Sequence, residues 1–479
     1  MGTVVLAASE SYPAAPEQLY GMFGSSGSAG WLFGAQCDVL APGAVVTIML
    51  PLGTGAGAGQ AQILGRVARL VPDRQIVIWH DQPWRGTLKI KFDRLPDSQT
   101  RVTVFAELDE DGLGWLMRRR GWPAAADRND RVHRIGLLTS KSGPGAVFAV
   151  ACENLARMAV EELNADGGLR GRPVELLVGD DATEPELGAA ETRRLIASGC
   201  QVVVASVTSA TFAAVQRDNA AAGVPLIHPL LNEGGGGAGH ILRWGERPAD
   251  QLGAAAAPFM KAAGVRDWFL VGDDYSWSHG AHAAARSTLA RAGGRIIGEQ
   301  YVPLGTQDFG PVIERIERVR ADCVLSTLVG SDEVAFERQS WQTGLRSKCR
   351  TLSLVLDEST RERIGDAAAR GLWTAFGYFQ QLDTDSNASF LARYRAAYGQ
   401  WAPPVSSLSE AVYETAQLYA GAVRATGDDD PAAVARALHH HRADTPRGRV
   451  ALSGPHSIRQ AIHVAEATTG GFRLLRTAP

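Results

Sequence analysis

Hydroxyl and aromatic side chains stand directly after predicted strands at two places in this sequence. Ser206–Ser209 separates the end of one predicted strand from the start of a helix, where hydroxyls and free backbone N–H groups suit a carbonyl oxygen or a carboxylate. Tyr275 and Trp277 follow a second strand, and ring faces with a tyrosine hydroxyl suit a flat amide. These groups predict ligand binding. The alternatives are simple helix capping at Ser206–Ser209 and loop packing of the two aromatic residues.

Polar residues also end other predicted strands. Asp332, Asp357 and Glu358 follow strands in the second half of the chain, and their carboxylates could accept hydrogen bonds from an amide or pair with an ammonium group. His228 ends a further strand and could donate to a ligand carbonyl. The alternatives are helix capping for the carboxylates and a structural partner for the histidine.

Composition and motifs argue against several other functions. The 479 residues are 45% hydrophobic and 21% charged with a formal net charge of -3, which does not favour nucleic acid or an anionic membrane. Gly234–Gly239 fits G-x-G-x-x-G, but the segment after it has strand rather than helix character, so no dinucleotide site is predicted. The five cysteines are scattered, and we expect neither a metal nor a cofactor.

The elements that must position these residues change character along the chain. Residues 1–122 begin with a strand and a helix and continue with short β-rich runs, which predicts an α+β domain with a curved sheet. Residues 123–131 are interpreted as a linker. From residue 132 onward strands and helices alternate in two successive arrays, which predicts an α/β fold of two doubly wound lobes with a ligand cleft between them. No stretch is suited to cross a membrane.

Six segments occur in an order that resembles type I periplasmic-binding-fold proteins. Within that fold, the chain from residue 132 to its end is similar to the short-chain amide and urea branch of the ABC-transporter substrate-binding proteins, which includes cytoplasmic amide sensors. The element order of residues 1–122 resembles the helix-grip superfamily of polyketide-cyclase and START-like domains. The six segments are Ile135–Gly143, Ala159–Pro173, Phe269–Tyr275, Tyr301–Gly305, Asp322–Gly330 and Asp444–Gly448.

The resemblance implies a protein that closes two lobes around a small ligand without chemistry. Lobe 1 would comprise about 132–247 and 376–445, and lobe 2 about 248–375 and 446–479. Relatives carry aromatic residues where His228 and Asn232 stand, so this chain departs from them at both positions. Analogy places Tyr378 at the mouth of the cleft, with hinge packing as the alternative. The expected ligand-binding residues are Ser206, Thr208, Ser209, His228, Leu230, Asn232, Tyr275, Trp277, Asp332, Asp357, Glu358 and Tyr378.

The first functional hypothesis is a cytoplasmic sensor. It would bind a short-chain amide, a urea-like or an amino-acid-like molecule and report to a regulatory protein, because the sequence begins without a positively charged leader. An alternative is the receptor of an ABC permease whose export signal is absent from this sequence. A third hypothesis is a hydrophobic-ligand carrier or enzyme acting through residues 1–122. Many relatives associate through one lobe, but no face of this sequence identifies itself as such an interface, so the oligomeric state stays open.

Overall fold

The computed structural model describes residues 4–24, 31–51, 60–96, 99–119, 129, 131–234, 239–428, 430–440, 442–452 and 458–475. The chain divides into two compact units, Met1–Ala125 and Ala126–Pro479. The predicted linker at 123–131 lies largely outside the described residues. Among the described residues, no helix is both long and apolar enough to cross a bilayer. The same residues contain no group of three or more histidine, cysteine or acidic side chains placed to hold a metal ion.

The first unit is an antiparallel sheet flanked by two helices. Its strands are ordered β1-β6-β5-β4-β3-β2, and inward-facing side chains such as Ile76, Ile78 and Ile90 form the core with Trp84 and Trp115. The predicted order of a strand, a helix and a run of strands is therefore present. The elements are β1 (Val4–Tyr12), α1 (Pro16–Met22), β2 (Val45–Pro51), β3 (Gln60–Val71), β4 (Gln75–Gln82), β5 (Gly86–Arg94), β6 (Thr100–Leu108) and α2 (Glu110–Arg119).

Lobe 1 of the second unit is built on a five-stranded parallel sheet. The strand order is β11-β10-β9-β7-β8, and all seven residues of β7 are buried, as expected for a strand covered by helices on both faces. The elements are β7 (His133–Thr139), α3 (Ala146–Ala165), β8 (Val174–Asp180), α4 (Pro185–Ala197), β9 (Cys200–Ser206), α5 (Ser209–Ala222), β10 (Leu226–His228) and β11 (Ile241–Arg243).

Lobe 2 continues the alternation of strands and helices around a second sheet. Strands β12 to β16 pair in the order β13-β12-β14-β15-β16, and all of these pairs are parallel. The elements are α6 (Pro248–Ala263), β12 (Asp267–Asp273), α7 (Ser276–Arg291), β13 (Arg295–Val302), α8 (Gly310–Val319), β14 (Cys323–Thr327), α9 (Ser331–Gln342), β15 (Arg350–Ser353), α10 (Glu358–Ile364), α11 (Asp366–Ala369) and β16 (Trp373–Phe376).

The remaining chain returns to lobe 1 and ends in lobe 2. Helix α13 packs along α3 of lobe 1, whereas β20 and β21 extend the lobe 2 sheet as antiparallel strands beside β16. Three segments therefore connect the lobes, and their described residues are 244–247, 377–384, and 442–452 with 458–462. The elements are α12 (Asp385–Tyr398), α13 (Ser407–Thr426), α14 (Pro431–His440), β17 (Arg442–Thr445), β18 (Gly448–Leu452), β19 (Ile458–Arg459), β20 (His463–Thr468) and β21 (Gly471–Leu475).

Candidate functional site

A cavity lies between the two lobes, beyond the carboxyl ends of their strands. The space between the lining atoms is about 530 Å³, part of which is open to solvent. This is where ligands bind in parallel α/β folds. The lining residues are Thr139, Ser140, Gly145, Phe148, Ser206, Val207, Thr208, Ser209, Leu230, Leu231, Leu408 of lobe 1 and Tyr275, Trp277, Val329, Val355 of lobe 2.

The amino ends of five helices of ten or more residues surround this cavity. The lining residues at these ends lie within two positions of the N-caps of α3, α5, α7, α9 and α13. Each such end carries a partial positive charge, because its first backbone N–H groups have no acceptor within the helix. None of the described lining residues carries a formal charge of its own. The lining residues at these five helix ends are Gly145, Thr208, Tyr275, Val329 and Leu408. The arrangement favours an anionic group over a cation.

The hydroxyls of Ser206–Ser209 lie at the cavity as predicted, and each also has a partner within the protein. Ser206 donates to Cys152 Sγ at 3.4 Å, and Ser209 donates to Glu233 Oε2 at 2.7 Å. Thr208 Oγ1 accepts from the backbone N–H of Thr211 at 3.3 Å and so caps α5. Capping and cavity lining are therefore combined in one residue rather than being alternatives.

The aromatic pair forms part of the lobe 2 wall. The rings of Tyr275 and Trp277 lie with their centroids 6.4 Å apart and their planes at 29°. Trp277 is only 1% exposed, and its indole Nε1 has no hydrogen-bond partner among the described residues. Burial and the nearby Asp273 and Glu233 raise the pKa of Tyr275, which keeps its phenol neutral. A buried indole N–H beside a cavity is available to a ligand acceptor.

Two predicted ligand residues of the β10 loop, His228 and Asn232, instead hold the loops of lobe 1 together. His228 Nε2 lies 3.0 Å from the carbonyl oxygen of Val207, and burial lowers its pKa to about 4, so a neutral imidazole donates this bond. Asn232 donates to the carbonyl of Gly245 at 2.9 Å. Backbone groups already use these two side chains and neither residue is among the described lining residues, so their ligand contacts stay predictions. Leu230 does line the cavity.

The three predicted carboxylates also lie outside the cavity lining. Asp332 accepts from the backbone N–H groups of Gly305 and Thr306 at 2.7 and 2.9 Å. Asp357 caps α10, and Glu358 accepts from the backbone of a lobe connection, the N–H of Gln380, at 2.9 Å. Burial raises the pKa of all three. One oxygen of each carboxylate accepts from a backbone N–H group, and none of the three residues is among the described lining residues, so their ligand contacts stay predictions.

Tyr378 is a core residue of the connection between the lobes. Its hydroxyl donates to Asn387 Oδ1 at 2.8 Å, and its ring is fully buried in a cluster with Phe390 and Tyr394. The predicted position at the mouth of the cleft is therefore wrong, and the alternative of hinge packing is observed.

Several lining residues were not predicted. Thr139 and Ser140 end β7 in the way that Ser206 ends β9, so their position after a buried strand was a usable signal. Phe148 lies in the first turn of α3. The unpredicted leucines and valines give no signal, because a cavity wall and a closed core require the same apolar residue types.

The lobes touch each other beside the cavity. The backbone N–H of Ser331 in lobe 2 donates to the carbonyl oxygen of Pro144 in lobe 1 at 3.1 Å. Gly330 has φ of 60°, and a Cβ at this position would lie 2.2 Å from the same oxygen. Only glycine permits this approach.

Comparison with known proteins agrees with this architecture. A family model described as "Periplasmic binding protein" matches residues 133–471, which span both lobes. A Leu/Ile/Val-binding protein from Rhizobium johnstonii is 26% identical over 264 residues, covering 50% of this chain and 71% of that protein. An amino acid binding protein from Pseudomonas aeruginosa is 26% identical over 326 residues, covering 66% of this chain and 84% of that protein.

Solved structures match the same part of the chain. An ABC-transporter solute-binding protein from R. palustris in complex with benzoate has a TM-score of 0.64 at 21% identity, covering 72% of this chain and 95% of that one. An ABC transporter substrate-binding protein from Sphaerobacter thermophilus has a TM-score of 0.62 at 26% identity, covering 72% and 98%. The predicted fold class of two α/β lobes is confirmed. On the strength of the match to residues 133–471, the chain belongs to the periplasmic binding protein family.

Proposed function

We propose that this chain is the solute-binding receptor of an ABC transporter and that its solute is a small carboxylate with an apolar remainder. Solute-binding proteins of ABC transporters are among the similar structures, which supports the transport role over the sensor that the sequence placed first. The receptor acts by closing its lobes on the solute and performs no chemistry. A cytoplasmic location and an amide or urea ligand stay predictions.

The observation that carries this proposal is the uncharged cavity surrounded by helix amino ends. Helix amino ends from both lobes meet at this cavity and offer their partial positive charge to a carboxylate, without a lysine or arginine among the described lining residues. The rest of the wall consists of leucine, valine and aromatic side chains, which favour an apolar body.

An α-amino acid fits this cavity less well than the same acid without its amino group. An ammonium group removed from water needs a carboxylate or several acceptors, and burying it unpaired is costly. The described cavity lining contains no carboxylate. The carboxylates near it each accept a hydrogen bond within the protein, from backbone N–H groups at Asp273, Asp332, Asp357 and Glu358 and from the Ser209 hydroxyl at Glu233. The similar R. palustris protein was solved with benzoate, which also lacks an ammonium group.

Titration calorimetry on the full chain tests the proposal with matched solutes. The set is benzoate, 4-methylpentanoate, leucine and benzamide, where 4-methylpentanoate is leucine without its ammonium group and benzamide is benzoate without its charge. We expect both free carboxylates to bind at least about tenfold more tightly than leucine or benzamide, equivalent to about 1.4 kcal/mol. Leucine binding more tightly than 4-methylpentanoate would contradict the solute class. Equal binding of benzamide and benzoate would favour the amide hypothesis, and no binding at all would contradict the receptor assignment.

For the first unit we propose a helix-grip fold. The order β1, α1, five further strands and a terminal helix, with β1 and β2 at opposite edges of one antiparallel sheet, supports it. An experimental structure of the full chain with α2 packed across the concave face of the sheet would support this fold, and α2 on the convex face would exclude it.

A further inference from the structure

A buried charge cluster lies where the three connections between the lobes meet. Its centre is Arg447, in the turn between β17 and β18, with Glu246 of the first connection and Glu410 and Glu414 of helix α13 around it. All four side chains are at most 1% exposed. The cluster contributes no residue to the ligand cavity.

Arg447 contacts several acceptors at once in this cluster. Nε donates to Glu410 Oε2 at 2.7 Å and lies 3.0 Å from Glu414 Oε2. Nη1 donates to Gln460 Oε1 at 2.7 Å and lies 3.5 Å from Glu246 Oε1. Although burial lowers the pKa of Arg447, the three carboxylates raise it above its usual value, so the group stays charged. A planar guanidinium is suited to join several acceptors in one fixed arrangement.

Glu246 extends the cluster to the second connection. Its Oε1 accepts from the backbone N–H of Gly377 at 2.9 Å and from the hydroxyl of Ser407 at 2.7 Å. Glu414 in turn accepts from the indole of Trp244, in the first connection. Residues 244–247, Gly377 and Arg447 belong to the three different connections, so the cluster ties all three to the amino-terminal half of α13.

We propose that Arg447 is the positioning residue of the hinge, joining the three connections into one pivot so that the lobes close on a solute along a single path. A buried ion pair is a poor source of net stability, since desolvation offsets its attraction, but it fixes geometry well. A hinge needs a fixed geometry, because three connections that moved independently would permit several relative orientations of the lobes. Only the expected effect of Arg447 on solute binding rests on the proposed receptor function.

Hydrogen–deuterium exchange on the full chain tests, without any solute, whether Arg447 joins the three connections. The variants are Arg447→Met, which removes the positive charge, and Arg447→Lys, which keeps the charge but not the planar guanidinium group. Arg473→Met is the control. Arg473 pairs with Glu466 on the exposed side of the lobe 2 sheet. We expect Arg447→Met to accelerate exchange at least tenfold in peptides covering residues 244–249 and 374–382, while strands β7, β9, β12 and β14 stay protected. Arg447→Lys should give a smaller change at the same peptides, and Arg473→Met none.

Two outcomes would contradict the proposed role of Arg447. One is unchanged exchange in the connections, and the other is faster exchange spread evenly over both lobes, which indicates only lost stability. If Arg447→Met does not fold, the same criteria apply to Arg447→Lys. Benzoate titration of the same variants supplies the second readout, with an expected loss of affinity of about tenfold for Arg447→Met and none for Arg473→Met. Failure of the unmodified chain to bind benzoate counts against the proposed solute, whereas the exchange result still decides whether Arg447 joins the connections.

Discussion

The two lobes contribute different chemistry to one cavity. Lobe 1 supplies every serine and threonine among the described lining residues, whereas lobe 2 supplies Tyr275, Trp277, Val329 and Val355. Apolar lining residues come from both lobes, so the contrast lies between the serine and threonine hydroxyls of lobe 1 and the tyrosine and tryptophan rings of lobe 2. The cavity wall is complete only when the two lobes have met. Closure is favoured because it brings the two halves of the recognition surface together.

The largest expected effect comes from placing a negative charge on the lobe 1 wall. Thr208→Asp keeps an N-cap oxygen for α5, because aspartate caps helices as well as threonine does. Its carboxylate would repel a solute carboxylate about 4 Å away by about 4 kcal/mol at an effective dielectric constant of 20. We expect benzoate affinity to fall about 1000-fold, measured by calorimetry, with little change in melting temperature. Thr208→Ser is the control, and equal binding by the two variants would show that the charged end of the solute lies elsewhere.

The next largest effect concerns the stability of the fold around the lobe 1 wall, where His228 bonds to the carbonyl of Val207. His228 is buried with a pKa of about 4, against 6.5 in the unfolded chain. The folded state therefore binds fewer protons between these values, and its stability falls as the pH drops from 6.5 to 4, by about 3 kcal/mol. His228→Gln should remove this part of the acid sensitivity, as measured by urea unfolding at stepped pH. His279→Gln, at an exposed histidine, should leave it unchanged. The same pH dependence in both variants would contradict a buried neutral imidazole.

A smaller effect tests whether the lobe 2 wall is purely apolar. Trp277→Phe retains a ring but removes the unpartnered N–H, and a hydrogen bond to a charged group contributes about 1.5–3 kcal/mol. We expect benzoate to bind about tenfold more weakly. Trp341→Phe, at an indole that is 50% exposed on α9, is the matched control. An unchanged affinity in Trp277→Phe would leave all polar recognition with lobe 1 and sharpen the contrast between the walls.

The smallest effect is expected at the other ring. Tyr275→Phe removes only the hydroxyl, and the ring itself provides the apolar contact. Benzoate affinity should change by less than about threefold. A larger loss, with the fold intact by circular dichroism, would assign the hydroxyl to the solute and weaken the contrast between the lobes.

How far the sequence predicts this site depends on what each side chain can bond to locally. The alternation of strands and helices predicted the lobes, and strand ends predicted the edge at which the cavity lies. Thr208 and Trp277 were found in this way. Asp357 follows a strand just as Thr208 does, yet its carboxylate is used to cap α10. The sequence does not tell a residue that caps a helix from one that also faces a cavity, because both require the same position and the same polar atom.

Tertiary pairings limit sequence prediction further. His228 contacts Val207 and Tyr378 contacts Asn387 through loops whose paths only the folded chain defines. The charge cluster of Arg447 joins residues 201 positions apart, from Glu246 to Arg447. The segment Asp444–Gly448 resembles a family motif, but nothing in the sequence pairs its arginine with Glu246, because that contact exists only once the connections between the lobes converge.

The contact of Gly330 with Pro144 has a kinetic consequence. It forms only when the lobes have met, and it involves backbone atoms that need not touch the solute. In the proposed receptor, the lobes separate only after the bond from Ser331 to Pro144 has broken. Residence time is thereby governed partly at a point outside the binding surface. The lifetime of the loaded receptor can change through this one glycine while the choice of solute stays the same.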